Sequence, residues 1–112
     1  MTDSPIQTIT WEGKVAVASI AGDIDLHRSA ALQQGLLGLL DEQPQKVVVD
    51  LSAVPYMDSS GVASLVKLLS RTRKLGVALV LLSPSPKVRS ILEITRLDSV
   101  FTITDSKQEA TA

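Results

Sequence analysis

The residues best suited to chemistry in this chain stand together in Tyr56-Met57-Asp58-Ser59-Ser60-Gly61, where one carboxylate and two hydroxyls precede an apolar-periodic stretch. At a helix start, Asp and Ser oxygens accept backbone N–H groups that the helix leaves unpaired, a cap worth typically ~1 kcal/mol. The same position suits a phosphoacceptor. A phosphate on Ser59 or Ser60 faces free N–H groups and the positive end of the helix dipole, so the domain can carry it without unfolding. Hydrolytic chemistry fits poorly: a nucleophile elbow requires G-x-S-x-G, and Met57 occupies the first glycine position. His27 is the one imidazole that could complete a triad with Asp23 or Asp25, and at a helix start it reads as a solvated residue.

Other chemistries are excluded by what is missing. Asp23, Asp25 and His27 offer three potential ligands in five residues, but no further His or Cys closes a metal shell, so they read as a turn former, an N-cap and a surface residue, with no metal site expected. Neither G-x-G-x-x-G nor G-x-x-x-x-G-K-[ST] occurs, so no nucleotide cofactor is expected. Absent cysteine removes disulfides, thiol nucleophiles and iron–sulfur sites and fits a reducing cytoplasm. With 11 basic and 12 acidic side chains the net charge is −1, which gives no general pull toward nucleic acid or anionic membrane. The longest apolar run, Val77 to Leu82, is far short of the ~20 residues that span a bilayer, and Met1 to Pro5 lacks a signal-peptide apolar region. The expectation is a soluble, unexported, non-enzymatic domain.

The elements that must position these residues follow from periodicity. Ile6 to Trp11, a turn at Glu12-Gly13 and the alternation from Val15 to Ile20 read as a β-hairpin. Leu32, Leu36, Leu39 and Leu40 mark a first helix capped by Asp25, and its Gly35 and Gly38 suggest close packing of backbone on a sheet. Lys46 to Leu51 is apolar on both faces, as a central strand should be. The second helix runs from Ser59 to Leu75 with a C-terminal Gly76, and Val62, Leu65, Val66 and Leu69 form its apolar stripe. A strand from Val77 to Ser83, a helix from Pro86 to about Thr95 behind an N-cap at Ser85, and a short strand at Phe101 to Thr104 complete the pattern. The core spans about residues 6 to 104, and 105 to 112 read as a frayed tail.

This order predicts a single α/β domain over residues 1–112, with a mixed, mostly parallel sheet, an N-terminal antiparallel hairpin and covering helices. Binding groups then collect in the loops after the strand C-termini, at Gly22 to His27, Ser52 to Ser60 and Ser83 to Pro86. On the second helix Ser60, Ser64, Lys67 and Arg71 share one polar face, with Leu68 on its flank as an apolar contact. Helical angle makes Ser60 the more outward of the two hydroxyls.

Gly22-Asp23-Ile24-Asp25, Val47-Val48-Val49-Asp50-Leu51 and Met57-Asp58-Ser59-Ser60-Gly61, in this order and spacing, resemble the STAS domain of bacterial anti-sigma factor antagonists. The resemblance covers about Ile6 to Thr104, and it departs at Asp23, where the family commonly has Glu. It implies partner switching in transcription regulation and stress response. The unphosphorylated form binds an anti-sigma factor that is also an ATP-dependent serine kinase and so frees a sigma factor; phosphorylation ends the binding, and a serine phosphatase restores it. By the resemblance Ser59 is the acceptor, Asp58 and Asp25 belong to the recognition surface, and Ser60 is a neighbour. With Asp23, Ser64, Lys67 and Arg71 these residues make up the expected partner footprint. Two rivals share parts of the pattern. A STAS docking subunit of a lipid transport ABC system often replaces the two serines, and a receiver-like domain phosphorylated on Asp50, with Asp23 and Asp25 as its acidic pair, lacks a good lysine, Lys107 being a poor one.

Overall fold

Gly13, at a φ of 62°, turns the chain between two antiparallel strands, β1 (Ile6–Glu12) and β2 (Val15–Ala21), with Glu12 opposite Val15. Few residues but glycine adopt a positive φ without strain, so the Glu12-Gly13 turn predicted above has a conformational cause. The computed structural model describes residues 4–112, and Met1 to Asp3, included in the expected domain, lie outside the described residues.

After β2 come α1 (Leu26–Leu39), β3 (Lys46–Ala53), α2 (Ser59–Leu75), β4 (Ala78–Leu82), α3 (Pro86–Ile94), β5 (Thr102–Thr104) and α4 (Lys107–Thr111). The five strands form one sheet in chain order; β1 and β2 are antiparallel and every later pair is parallel. The predicted α/β class, the hairpin and the mostly parallel sheet are thus all present. Val47, Val48, Val49 and Leu51 of β3 are buried on both faces, which is why this strand reads as a continuous apolar run.

The main core lies between the sheet and the first three helices, where Leu32 and Leu36 of α1, Leu65 and Leu68 of α2, and Val88 and Leu92 of α3 meet Ala18, Val49 and Leu81. The opposite face buries Val17, Val48, Val80 and Leu82 with Ala110. Ala110 belongs to α4, so residues 106–112 depart from the frayed tail expected of them. Ser106 caps α4 by accepting the N–H of Glu109, and the helix covers valines that would otherwise face water. Composition hides this element, because a single alanine is its buried anchor.

The second helix is rotated relative to its predicted stripe. Its buried residues are Gly61, Val62, Ser64, Leu65, Leu68 and Thr72, while Val66 is 39% exposed. Leu68 is therefore core and no flanking surface contact. The reason is that α2 packs on α1 as well as on the sheet, and the α1 side is lined by a serine. Ser64 Oγ shares its one proton between the Ser29 carbonyl and the Ser60 carbonyl of its own helix, each 3.1 Å away. A hydroxyl whose bonds are satisfied can be buried where periodicity assigns it to water. The two α1 glycines also differ. A Cβ at Gly35 would collide with Ile6 Cδ1, as close packing requires, whereas one at Gly38 would meet nothing within 4 Å.

Candidate functional site

The loops leaving β2 and β3 are stitched together at the C-terminal edge of the sheet. Gly22 N–H donates to the Ala53 carbonyl at 2.9 Å, Ile24 N–H to Tyr56 at 3.0 Å, and Asp58 N–H returns to Ile24 at 3.0 Å, so Ile24 and Met57 pair as an isolated parallel bridge. Both side chains are buried, and their neighbours Asp23, Asp25, Asp58 and Ser59 consequently share one edge. The third loop is tied in by Ser85, whose hydroxyl donates to the Val54 carbonyl at 2.7 Å. Ser85 holds the N-cap position of α3, but its side chain makes this cross-loop bond in place of the expected cap bond.

Gly61 explains why the motif ends in glycine. A Cβ there would collide with Met57 Cγ and lie 2.8 Å from Ile24 Cγ2, inside the distance real Cβ atoms keep. The bare backbone lets the first turn of α2 sit directly on the Ile24–Met57 bridge, which fixes the helix start relative to both acidic loops.

Asp58 caps α2. One carboxylate oxygen accepts the N–H of Ser60 at 2.9 Å and of Gly61 at 3.4 Å, and it also accepts the Ser60 hydroxyl. The Ser60 hydroxyl is the main cause that holds the Asp58 carboxyl below the usual carboxylate range; partial burial opposes it, and the two backbone N–H groups add to it. Asp25 plays the same part for α1, accepting the N–H of Arg28 at 3.1 Å.

Two expectations about the serines change. Ser60 is half-buried and spends its hydroxyl on Asp58, whereas Ser59 is exposed and, among the described residues, its hydroxyl has no hydrogen-bond partner. The outward hydroxyl is therefore that of Ser59, because the first helical residue is oriented by the cap and does not follow the helical wheel. Two of the first-turn N–H groups, those of Ser60 and Gly61, are already held by the Asp58 carboxylate.

Of the remaining sequence-selected residues, Asp23 and Asp25 are exposed on the loop edge and Lys67 and Arg71 on α2. Ser64 is 3% exposed and lies out of reach of any partner. Asp50 pairs in register with Ser19 and Leu82 and accepts the N–H of Ser52 at 3.0 Å, and the alternation along β3 puts it on the α4 face with Val48, apart from the acidic loops. Sequence reasoning missed Leu26 and Tyr56, which are 74% and 47% exposed on the same edge as Ser59. The available signal was position: each lies directly beside a capping or bridging residue, where no inward face exists.

The chain matches the STAS domain family over residues 8–110. It is 32% identical over 111 residues to the anti-sigma-F factor antagonist RsfB of Mycobacterium tuberculosis, covering 96% of this chain and 88% of the relative. Among solved structures, an anti-sigma-factor antagonist (STAS) domain protein from Planctomyces limnophilus superposes with a TM-score of 0.84 at 27% identity, covering 98% and 97% of the two chains. An anti-sigma factor antagonist from Mycobacterium paratuberculosis gives 0.84 at 26% identity over 92% and 87%.

Proposed function

This chain belongs to the STAS domain family, and we propose that it is an anti-sigma factor antagonist whose binding is switched by phosphorylation of Ser59. The observation that carries the reading is the division of labour between the serines: Ser60 is locked into the cap of α2, and Ser59 offers an exposed, uncommitted hydroxyl at the junction of two acidic loops. The names of the relatives, which are regulators of sigma-factor pathways, support the same reading.

In this mechanism the unphosphorylated domain docks on an anti-sigma factor serine kinase through Asp23, Asp25, Asp58, Ser59 and Ser60, continued along α2 by Lys67 and Arg71, and a sigma factor is released. The kinase supplies Mg-ATP. Ser59 Oγ attacks the γ-phosphorus, the bond to the ADP oxygen breaks, and the hydroxyl proton passes to a base on the kinase. The new group adds roughly −1.5 to −2 charge beside the carboxylates of Asp23, Asp25 and Asp58, taking the net charge from −1 to about −3. Asp58 already holds the N–H groups of Ser60 and Gly61, which leaves the new charge fewer helix donors to neutralise it. A close-fitting partner surface must then desolvate it, and the complex separates while the fold is retained. A serine phosphatase resets the switch.

The test is incubation of the wild type, Ser59→Ala and Ser60→Ala with an anti-sigma factor serine kinase from the same genome and Mg-ATP, followed by fragmentation mass spectrometry. One phosphate on Ser59 in the wild type and in Ser60→Ala, and none in Ser59→Ala, is expected. Undiminished labelling of Ser59→Ala refutes the assignment.

A further inference from the structure

Charge is segregated in the helical layer. Neither α1 nor α2 contains a carboxylate, yet α2 carries Lys67, Arg71, Arg73 and Lys74, all exposed. Among the described residues none of the four makes an ion pair or a side-chain hydrogen bond. Lys67, Arg71 and Lys74 follow i, i+4, i+7 spacing and so form one strip about 10 Å long. Attraction to the helix dipole accounts for Arg73 and Lys74 in the last turn. It does not account for Lys67 and Arg71, which lie further back, and like charges three and four residues apart weaken a helix. The strip is kept despite a local cost, in a chain whose overall charge is −1.

We propose that Lys67, Arg71 and Lys74 form the basic arm of the docking footprint, which receives an acidic surface of the protein partner and speeds its encounter by charge, whatever the state of Ser59. The proposal rests on the reading of this domain as a docking protein, but its test does not pass through phosphorylation. The occupant is a compact acidic patch, because carboxylates close the helical layer at both ends, Asp23, Asp25 and Asp58 at one edge and the exposed Asp41 and Glu42 after α1 at the other. A DNA duplex or a flat anionic membrane long enough to cover the strip would press its phosphates onto these groups. An acidic helix or loop matched to the strip avoids both, and opposite charges across such a contact raise the association rate more than they slow dissociation.

The probe is a synthetic helical peptide with Glu at positions i, i+4 and i+7, titrated into the isotopically labelled full chain at low and at physiological salt. Backbone amide shifts confined to the exposed side of α2 around Val66 to Lys74 are expected, with affinity that weakens as salt rises. The triple variant Lys67→Glu, Arg71→Glu, Lys74→Glu should lose at least about tenfold in affinity, and the neutral triple variant to Gln, whose fold is checked by the dispersion of its own amide spectrum, should lose a smaller part. Ser59→Asp should bind the peptide as the wild type does. Shifts centred elsewhere, wild-type affinity in both triple variants, or preferential binding of duplex DNA or anionic vesicles would overturn the proposal, and none of these outcomes bears on whether Ser59 is phosphorylated.

Discussion

Replacing Gly61 and Gly38 by alanine, one at a time, makes the same chemical change in two helices with opposite expected signs. At Gly38 a Cβ meets nothing within 4 Å, so Gly38→Ala keeps only the reduced backbone entropy cost and gains ~0.5–1 kcal/mol. At Gly61 the new methyl collides with Met57 Cγ and approaches Ile24 Cγ2 to 2.8 Å. These neighbours are 1% and 0% exposed and cannot swing into solvent. Ile24 is also stiff at its branched Cβ. Overpacking of this kind costs ~1–3 kcal/mol, here toward the upper end, and the helix-propensity gain offsets at most ~1 kcal/mol, leaving a net loss of ~1–2 kcal/mol. In a domain of this size 1 kcal/mol moves Tm by roughly 4 °C, so differential scanning calorimetry should find Gly61→Ala lower by roughly 4–8 °C and Gly38→Ala higher by roughly 2–4 °C. Because the Gly61 contact also fixes the Ile24–Met57 bridge, Gly61→Ala should slow phosphorylation of Ser59. A Gly61→Ala protein stabilised as much as Gly38→Ala would refute the packing role assigned to this glycine.

Two further substitutions probe the cap and the α1–α2 contact. The depressed pKa of Asp58 means that its contribution to stability is complete above the ordinary carboxylate range and is lost as pH falls through the folded-state value; Asp58→Asn should remove that part of the acid dependence in urea titrations at a series of pH values. Ser64→Asp places a carboxylate against the Ser29 carbonyl in a site 3% exposed and should cost roughly 2–5 kcal/mol in urea denaturation, whereas Ser70→Asp on the exposed side of the same helix should stay within about 0.5 kcal/mol; equal effects would return Ser64 to the surface.

Local chemistry decided much of this protein from its sequence. The runs Lys46 to Leu51 and Val77 to Ser83 could bury both faces only as inner strands of a helix-covered sheet, Asp25 and Asp58 had the chemistry and the position of caps, and Gly76 stood where α2 reverses. Each of these signals operates within a turn or a strand, so no distant residue was needed to read it. The motif block also marked the edge of the sheet where the β2 and β3 loops meet, since parallel strands with helical crossovers deliver their loops together.

Tertiary contacts decided what depends on a second surface. The rotation of α2 was set by α1, whose Ser29 carbonyl turned Ser64 inward, and α4 was held by valines from three different strands. Among the described residues Ser59 is the hydroxyl left free, since Asp58 binds that of Ser60, a choice between adjacent side chains that helical periodicity ranks the other way. The exposed edge of Leu26 and Tyr56 and the cations of α2, unpaired among the described residues, were likewise invisible in composition, because exposure is a property of what packs nearby and a sequence records only what could.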